Sequence, residues 1–168
     1  MNGARATAAP VSPGHGRPRS WLWLVGFIGV CQLVGIVAAL GTSTDTVWYD
    51  QLAKPDWNPP RWVFAPVWTT LYALMGIAAW RVWRTGRGAP ALRLFFMQLA
   101  LNFAWSFLFF GAQAIVAALI EIVVLWIAIV VTTAAFWRLD RPAAWLMAPY
   151  LAWVSFATAL NGAIVLMN

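Results

Sequence analysis

Five stretches of this chain, about residues 21–41, 63–83, 92–110, 114–137 and 143–167, each run for roughly twenty residues with at most one charged side chain. That length matches the hydrocarbon core of a bilayer, where only a helix satisfies every backbone N–H and C=O within one segment. The expected fold is all-α, an integral membrane bundle of five transmembrane helices over residues 21–168. Overall make-up agrees: 62% of residues are hydrophobic and 10% charged, against about 25% charged in soluble domains. Residues 1–20, with Pro10, Pro13, Gly14, Gly16, Pro18 and three arginines, have no apolar periodicity and read as a flexible cytoplasmic tail. The run from Trp21 to Leu40 is longer than a signal-peptide core and lacks a small-residue cleavage site, so it is expected to be a retained first span.

An odd number of spans puts the two ends of the domain on opposite sides of the membrane. Arg5, Arg17 and Arg19, then Arg81, Arg84, Arg87 and Arg93, then Arg138 and Arg141 make nine basic residues on one side, and Lys54 and Arg61 make two on the other. The positive-inside rule therefore places the N-terminus in the cytoplasm, and the 42–61 loop and C-terminus outside a bacterial cell membrane. Because the arginines sit at the ends of apolar runs, the net charge of +6 reflects topology, and lipids rather than nucleic acid are the expected partners. Trp21, Trp23, Trp62, Trp83, Trp137 and Trp145 at span ends fit interfacial anchoring belts. Cys31 is the sole cysteine and His15, in the tail, the sole histidine. No intramolecular disulfide, usual zinc site or histidine-ligated haem can be built from them, so no metal is expected. No Ser-His-Asp set, phosphate loop or dinucleotide fingerprint is present, and the inner half lacks the polar stripe a channel needs.

The loop joining the first two spans departs from ordinary loop chemistry. Between residues 42 and 61 and just beyond, it carries Trp48, Tyr49, Trp57, Trp62 and Phe64, which must be buried against protein, headgroups or a ligand. Polar side chains within the spans are equally costly unless paired or facing a cavity. In the third span Gln98, Asn102 and Trp105 share one helical face; in the fifth Tyr150, Trp153, Ala157, Leu160 and Asn161 do so; in the second Trp68, Tyr72 and Met75. At about 1.5 Å rise per residue, these positions fall between the outer end and the midplane, beneath the aromatic loop. One reading is a cavity lined by the stripes and lidded by residues 42–61, with Trp48, Tyr49 and Trp57 contributing from the lid and flat indoles offering stacking surfaces to a planar apolar ligand. The other is interhelical packing with amides as polar glue. Glu121, the one acidic residue deep in a span, reads as a hydrogen-bonded structural carboxyl, with a proton-relay or ligand-contact role as the alternative.

The string Trp48-Tyr49 through Lys54-Pro55, Trp57, Pro59-Pro60, Trp62, Pro66 and Trp68 to Leu71-Tyr72 resembles the signature of the TspO/MBR family of tryptophan-rich sensory and translocator proteins. Gln98-Leu99-Ala100-Leu101-Asn102 with Trp105 and Phe109-Phe110-Gly111, and Pro149-Tyr150-Leu151-Ala152-Trp153 with Phe156-Ala157 and Leu160-Asn161, are similar to that family's third- and fifth-helix motifs in order and spacing. The resemblance covers residues 21–168. It implies a five-helix protein, often a homodimer, that binds porphyrins such as protoporphyrin, along with sterols and synthetic benzodiazepine-type ligands, and acts as a sensor, regulator or transporter of tetrapyrroles. It also implies a pocket using Trp68, Asn102, Trp105, Trp153, Ala157 and Leu160. Trp68 and Trp153 match the tryptophans implicated in light-dependent porphyrin breakdown, the alternative, enzymatic function. No cofactor is required on this reading; the absence of a span histidine favours a metal-free porphyrin, or haem held without a histidine ligand. The stretch matching the animal members' cholesterol motif has Gly162 and Leu166 where a tyrosine and a basic residue are needed, so no dedicated cholesterol site of that kind is expected. Ala100, Ala104 and Gly111 offer a small-residue face for close helix approach in a dimer.

Overall fold

The structure, a computed structural model, describes residues 20–42 and 46–168. The expectations for the tail, His15 included, lie outside the described residues. Five long helices form the bundle: α1 (Ser20–Thr42), α3 (Arg61–Arg84), α4 (Ala89–Ser106), α5 (Ile115–Leu139) and α6 (Arg141–Met167), with a short α2 (Thr46–Gln51) between the first two. All five are long and apolar enough to cross a membrane, α4 together with the turn that extends it to Gly111. Helix α1 packs on α3, α3 on α6, α6 on α5, α5 on α4, and α4 returns to α1, closing a ring. Trp21, Trp62 and Trp145 stand exposed at helix ends, as anchoring residues do.

Each helix end has a chemical cause. Helix α3 begins directly after Pro59-Pro60, where a missing N–H costs nothing. It ends at Gly86, whose φ of +72° suits glycine and whose N–H donates to the Trp83 carbonyl. Helix α4 runs into a π-helical turn, Phe107–Gly111, closed by bonds from Ala112 N to Phe107 O (2.7 Å) and from Ala114 N to Leu108 O (3.0 Å), with Gln113 at φ +56°. Asp140 starts α6 by accepting from Ala143 N at 2.8 Å, and Pro142 occupies the first turn. The same carboxylate takes a bidentate pair from Arg81 of α3, both contacts 3.1 Å, which ties three helices together at the end remote from α2.

Two apolar clusters divide the interior. The larger one, around Met75, Val82, Phe95, Ile129, Phe136 and Met147, fills the middle and the Arg81 end. There Gly76 lies against α1 so closely that a Cβ would stand 2.6 Å from Ile28 Cα, which is how small residues let membrane helices approach. The second cluster, Tyr49, Phe109, Ala118, Leu160 and Ile164, sits under α2. The aromatic loop is thus partly helical rather than wholly irregular. Residues 46–53 contain no glycine or proline, and Lys54 completes the short helix by donating to the carbonyls of Tyr49 (2.5 Å), Leu52 (2.8 Å) and Asp50 (3.2 Å).

Candidate ligand-binding site

At the α2 end, space remains between α1 and α3. A cavity of about 430 Å³ lies there, within the usual size range of ligand sites. Its α1 wall is made of Gly35, Ala38 and Ala39 with Gln32; its α3 wall of Phe64, Ala65, Trp68 and Tyr72; and Trp105, Ser106 and Phe110 close it from α4 and the π-helical turn. Small residues on one side and aromatic rings on the other give a slot with flat faces. Gly35 is required by the Tyr72 ring, since a Cβ there would come within 2.3 Å of it.

The aromatic frame is held in place by the amides of the polar stripes. Tyr72 stacks on Trp68 (5.4 Å between centroids, 30°) and donates its hydroxyl to Asn102 Oδ1 at 2.6 Å. Trp105 stacks on Phe109 (5.2 Å, 25°) and points Nε1 at Asn161 Oδ1 at 3.4 Å, while Asn161 Nδ2 donates to the Ile115 carbonyl at 3.1 Å. Trp68 meets Trp153 edge-to-face at 6.5 Å and Tyr150 at 6.3 Å. Asn102 and Asn161 are fully buried and orient the rings; Asn102 lines neither space, while Asn161 also borders the small void beneath the lid.

Above these rings α2 and the following loop form a lid. Tyr49 packs on Phe109 and Phe110, and its hydroxyl donates to Asn58 Oδ1 at 3.0 Å; burial pushes this phenol above its usual range. Trp48 packs on Phe109 and Trp57 on Phe156. The loop is strapped to the end of α6 by Asn168, whose amide accepts from Ala53 N and donates to Ala53 O, each at 3.0 Å. Arg61, the first residue of α3, pairs with Asp50 of α2 on the exposed surface.

The residues singled out in the sequence therefore separate into four groups. Trp68, Tyr72 and Trp105 line the larger cavity. Tyr49, Trp153, Ala157 and Leu160 surround a void of about 30 Å³ beneath the lid, which shares Phe64, Trp105 and Phe110 with the larger cavity as dividing walls. Gln98, Asn102 and Tyr150 lie in the packed interior and line neither space, while Trp48 and Trp57 brace the lid from outside both. Glu121 departs from its expected role as a hydrogen-bonded carboxyl. Among the described residues neither carboxyl oxygen has a hydrogen-bond partner; Trp126 Nε1 of the same helix is used on Ser155, and Asn161 Nδ2 of α6 on Ile115. Among the described residues the Gln98 amide and Tyr150 hydroxyl are likewise buried without a hydrogen bond of good geometry.

Sequence reasoning missed the α1 wall altogether. Gln32, a polar residue within the first span, was the available signal. Its Nε2 donates to the Thr69 carbonyl at 2.9 Å, linking α1 to α3 across the floor of the cavity. Arg61, Phe64 and Ala65 were missed as lining residues too. Arg61 and Tyr72 are the ionisable side chains among the described residues that line the larger cavity.

Comparison with known proteins agrees with this architecture. The profile of the TspO/MBR family matches residues 27–167. The chain is 46% identical over 146 residues to the tryptophan-rich protein TspO of Chlorobaculum tepidum, covering 84% of this chain and 92% of that one. It is 40% identical over 148 residues to the tryptophan-rich sensory protein of Cereibacter sphaeroides, covering 88% and 92%. With the translocator protein of Bos taurus it shares 40% over 147 residues, covering 84% and 87%.

Proposed function

The chain belongs to the TspO/MBR family, and from that premise we propose that it is a membrane tetrapyrrole-binding protein acting as a sensor, regulator or transporter of porphyrin intermediates. The observation that carries this reading is the slot between α1 and α3, where small residues face Trp68 and Tyr72 stacked at 5.4 Å. A planar macrocycle gains most from such a pair of walls, through aromatic contact and removal of its faces from water. Protoporphyrin is the ligand class favoured, or haem without a histidine ligand, and no cofactor is needed to hold it. The proposed orientation has the N-terminus in the cytoplasm of a bacterial cell and the lid and C-terminus outside, following the nine-to-two distribution of basic residues. A homodimer is proposed through the α4 face bearing Ala100, Ala104 and Gly111, of which Ala100 and Gly111 are exposed.

A second reading, light-dependent breakdown of porphyrin, is supported by one further contact. Trp68 reaches both the cavity and, at 6.5 Å, Trp153. A photo-excited porphyrin bound in the slot would therefore have two indoles at hand for electron transfer in the presence of dioxygen.

Titration of the purified protein in detergent with protoporphyrin, read by tryptophan fluorescence in the dark and then by absorbance under illumination, tests both. Saturable quenching with stable spectra is the expected result for binding, and Trp68→Phe is expected to weaken it by about fivefold through lost stacking area. Bleaching under light that disappears in Trp68→Phe and Trp153→Phe would instead establish the enzymatic reading. Absence of saturable quenching would overturn both.

A further inference from the structure

Among the described residues, one charge borders the slot: Arg61 stands where α3 enters the bundle, at the lid-end rim of the 430 Å³ cavity, and the rest of the described lining is uncharged. Its guanidinium is engaged by Asp50 of α2 and lies 5.7 Å from the Tyr49 ring centroid, so the same group touches cavity, lid helix and lid aromatic at once.

The pair with Asp50 is of a kind that is easily exchanged. Arg61 is 47% and Asp50 62% exposed in their side chains, and ion pairs so placed contribute little to folding. A carboxylate presented from within the cavity would meet the guanidinium with apolar rings behind it, where a charge-assisted, bidentate contact is stronger than at the surface. The remaining described polar lining, Gln32, Thr69, Tyr72 and Ser106, carries no charge to match such a group. Thr69 Oγ1 already donates to the Ala65 carbonyl and Gln32 Nε2 to the Thr69 carbonyl.

We propose that Arg61 is the specificity-determining residue of the cavity, selecting planar ligands that carry an edge carboxylate, and that Asp50 occupies its guanidinium until such a ligand arrives. The inference rests on the tetrapyrrole-binding reading and deepens it by naming the acidic members of that class as the preferred ligands. A consequence follows for the lid: the ligand's carboxylate displaces Asp50, and binding thereby releases α2 from its tie to α3 while Asn168 continues to hold Ala53. Occupancy of the slot is in this way reported on the outer surface.

The test compares protoporphyrin with its dimethyl ester on the full chain in detergent, in the wild type, Arg61→Gln, Arg61→Lys and Asp50→Asn. The two ligands share the macrocycle, and their affinity ratio within each protein removes differences in partitioning between protein variants. The wild type is expected to prefer the diacid by about tenfold, the scale of one charge-assisted hydrogen-bonded contact at a partly exposed site. Arg61→Gln brings the ratio towards one, Arg61→Lys retains part of it, and Asp50→Asn raises it by removing the competitor. An equal ratio in the wild type and Arg61→Gln overturns the proposal while leaving tetrapyrrole binding intact. Equal weakening of both ligands in Arg61→Gln would show that the arginine acts through the lid alone, which also overturns it. Should Arg61→Gln not fold, an Asp50→Asn ratio equal to the wild type decides against it. Failure of either compound to bind any of the four proteins sinks the tetrapyrrole reading and this inference together.

Discussion

At the end of the bundle remote from the lid, Gly76 of α3 rests on the backbone of Ile28, and Arg81 grips Asp140 through two 3.1 Å contacts. At the lid end the same two helices stand on either side of a 430 Å³ cavity, and Arg61 meets Asp50 in the open. The chemistry of the two ion pairs is identical; what differs is how many tasks each aspartate performs and how far water reaches it. Asp140 is 18% exposed and also caps α6 through Ala143 N, so its loss would unfasten α3, α5 and α6 together. Asp50 is 62% exposed and holds only the lid to α3. One end is therefore a lock, and the other is free to exchange partners.

The contrast can be broken most severely at Gly76. Gly76→Ala is expected to destabilise the protein by about 3 kcal/mol, because the obstacle is backbone that cannot turn aside. Gly26→Ala and Gly29→Ala, where nothing lies within 4 Å, are expected to cost nothing in the same denaturation experiment in micelles. Equal losses at all three positions would mean that the α1–α3 contact is not tight. Next in size, Asp140→Ala should lower stability by about 2 kcal/mol from the combined loss of cap and ion pair. Asp50→Ala should change it by less than about 0.5 kcal/mol, and a comparable loss from both would erase the distinction between lock and latch. The most local expected effect belongs to Asn168→Ala, which removes the two-way bond to Ala53. Loss of about 1 kcal/mol confined to the lid would leave the melting temperature unchanged and speed amide exchange at Ala53; slow exchange in that variant would show that Lys54 and Tyr49 suffice to hold the loop.

Much of this was legible in the order of residues, and what was not has a common cause. Helix positions follow from hydrocarbon solubility and backbone satisfaction, which act on each segment alone, so the five spans could be read one at a time. Asn102 and Asn161 each share a helical face with aromatic residues in the sequence, yet their partners, the Tyr72 hydroxyl and the Trp105 indole, are set by which helices are neighbours. Helix α1 looked featureless because it is apolar on every side. Its role as a cavity wall depends on Gly35, Ala38 and Ala39 happening to face Trp68 and Tyr72, and smallness is informative only beside something large.

By itself, then, the sequence determined an all-helical membrane bundle, its family, and an inventory of rings, amides and one deep carboxyl, because periodicity and transfer free energy are properties of single helices. Only the tertiary structure decided that the stripes divide between a slot beside α1 and a small void beneath the lid, that among the described residues Gln98, Tyr150 and Glu121 are buried without a hydrogen bond of good geometry, and that Arg61 borders the slot while Arg81 does not. Those outcomes depend on the rotation and separation of helices about one another. Close packing fixes both, at contacts as local as Gly76 on Ile28.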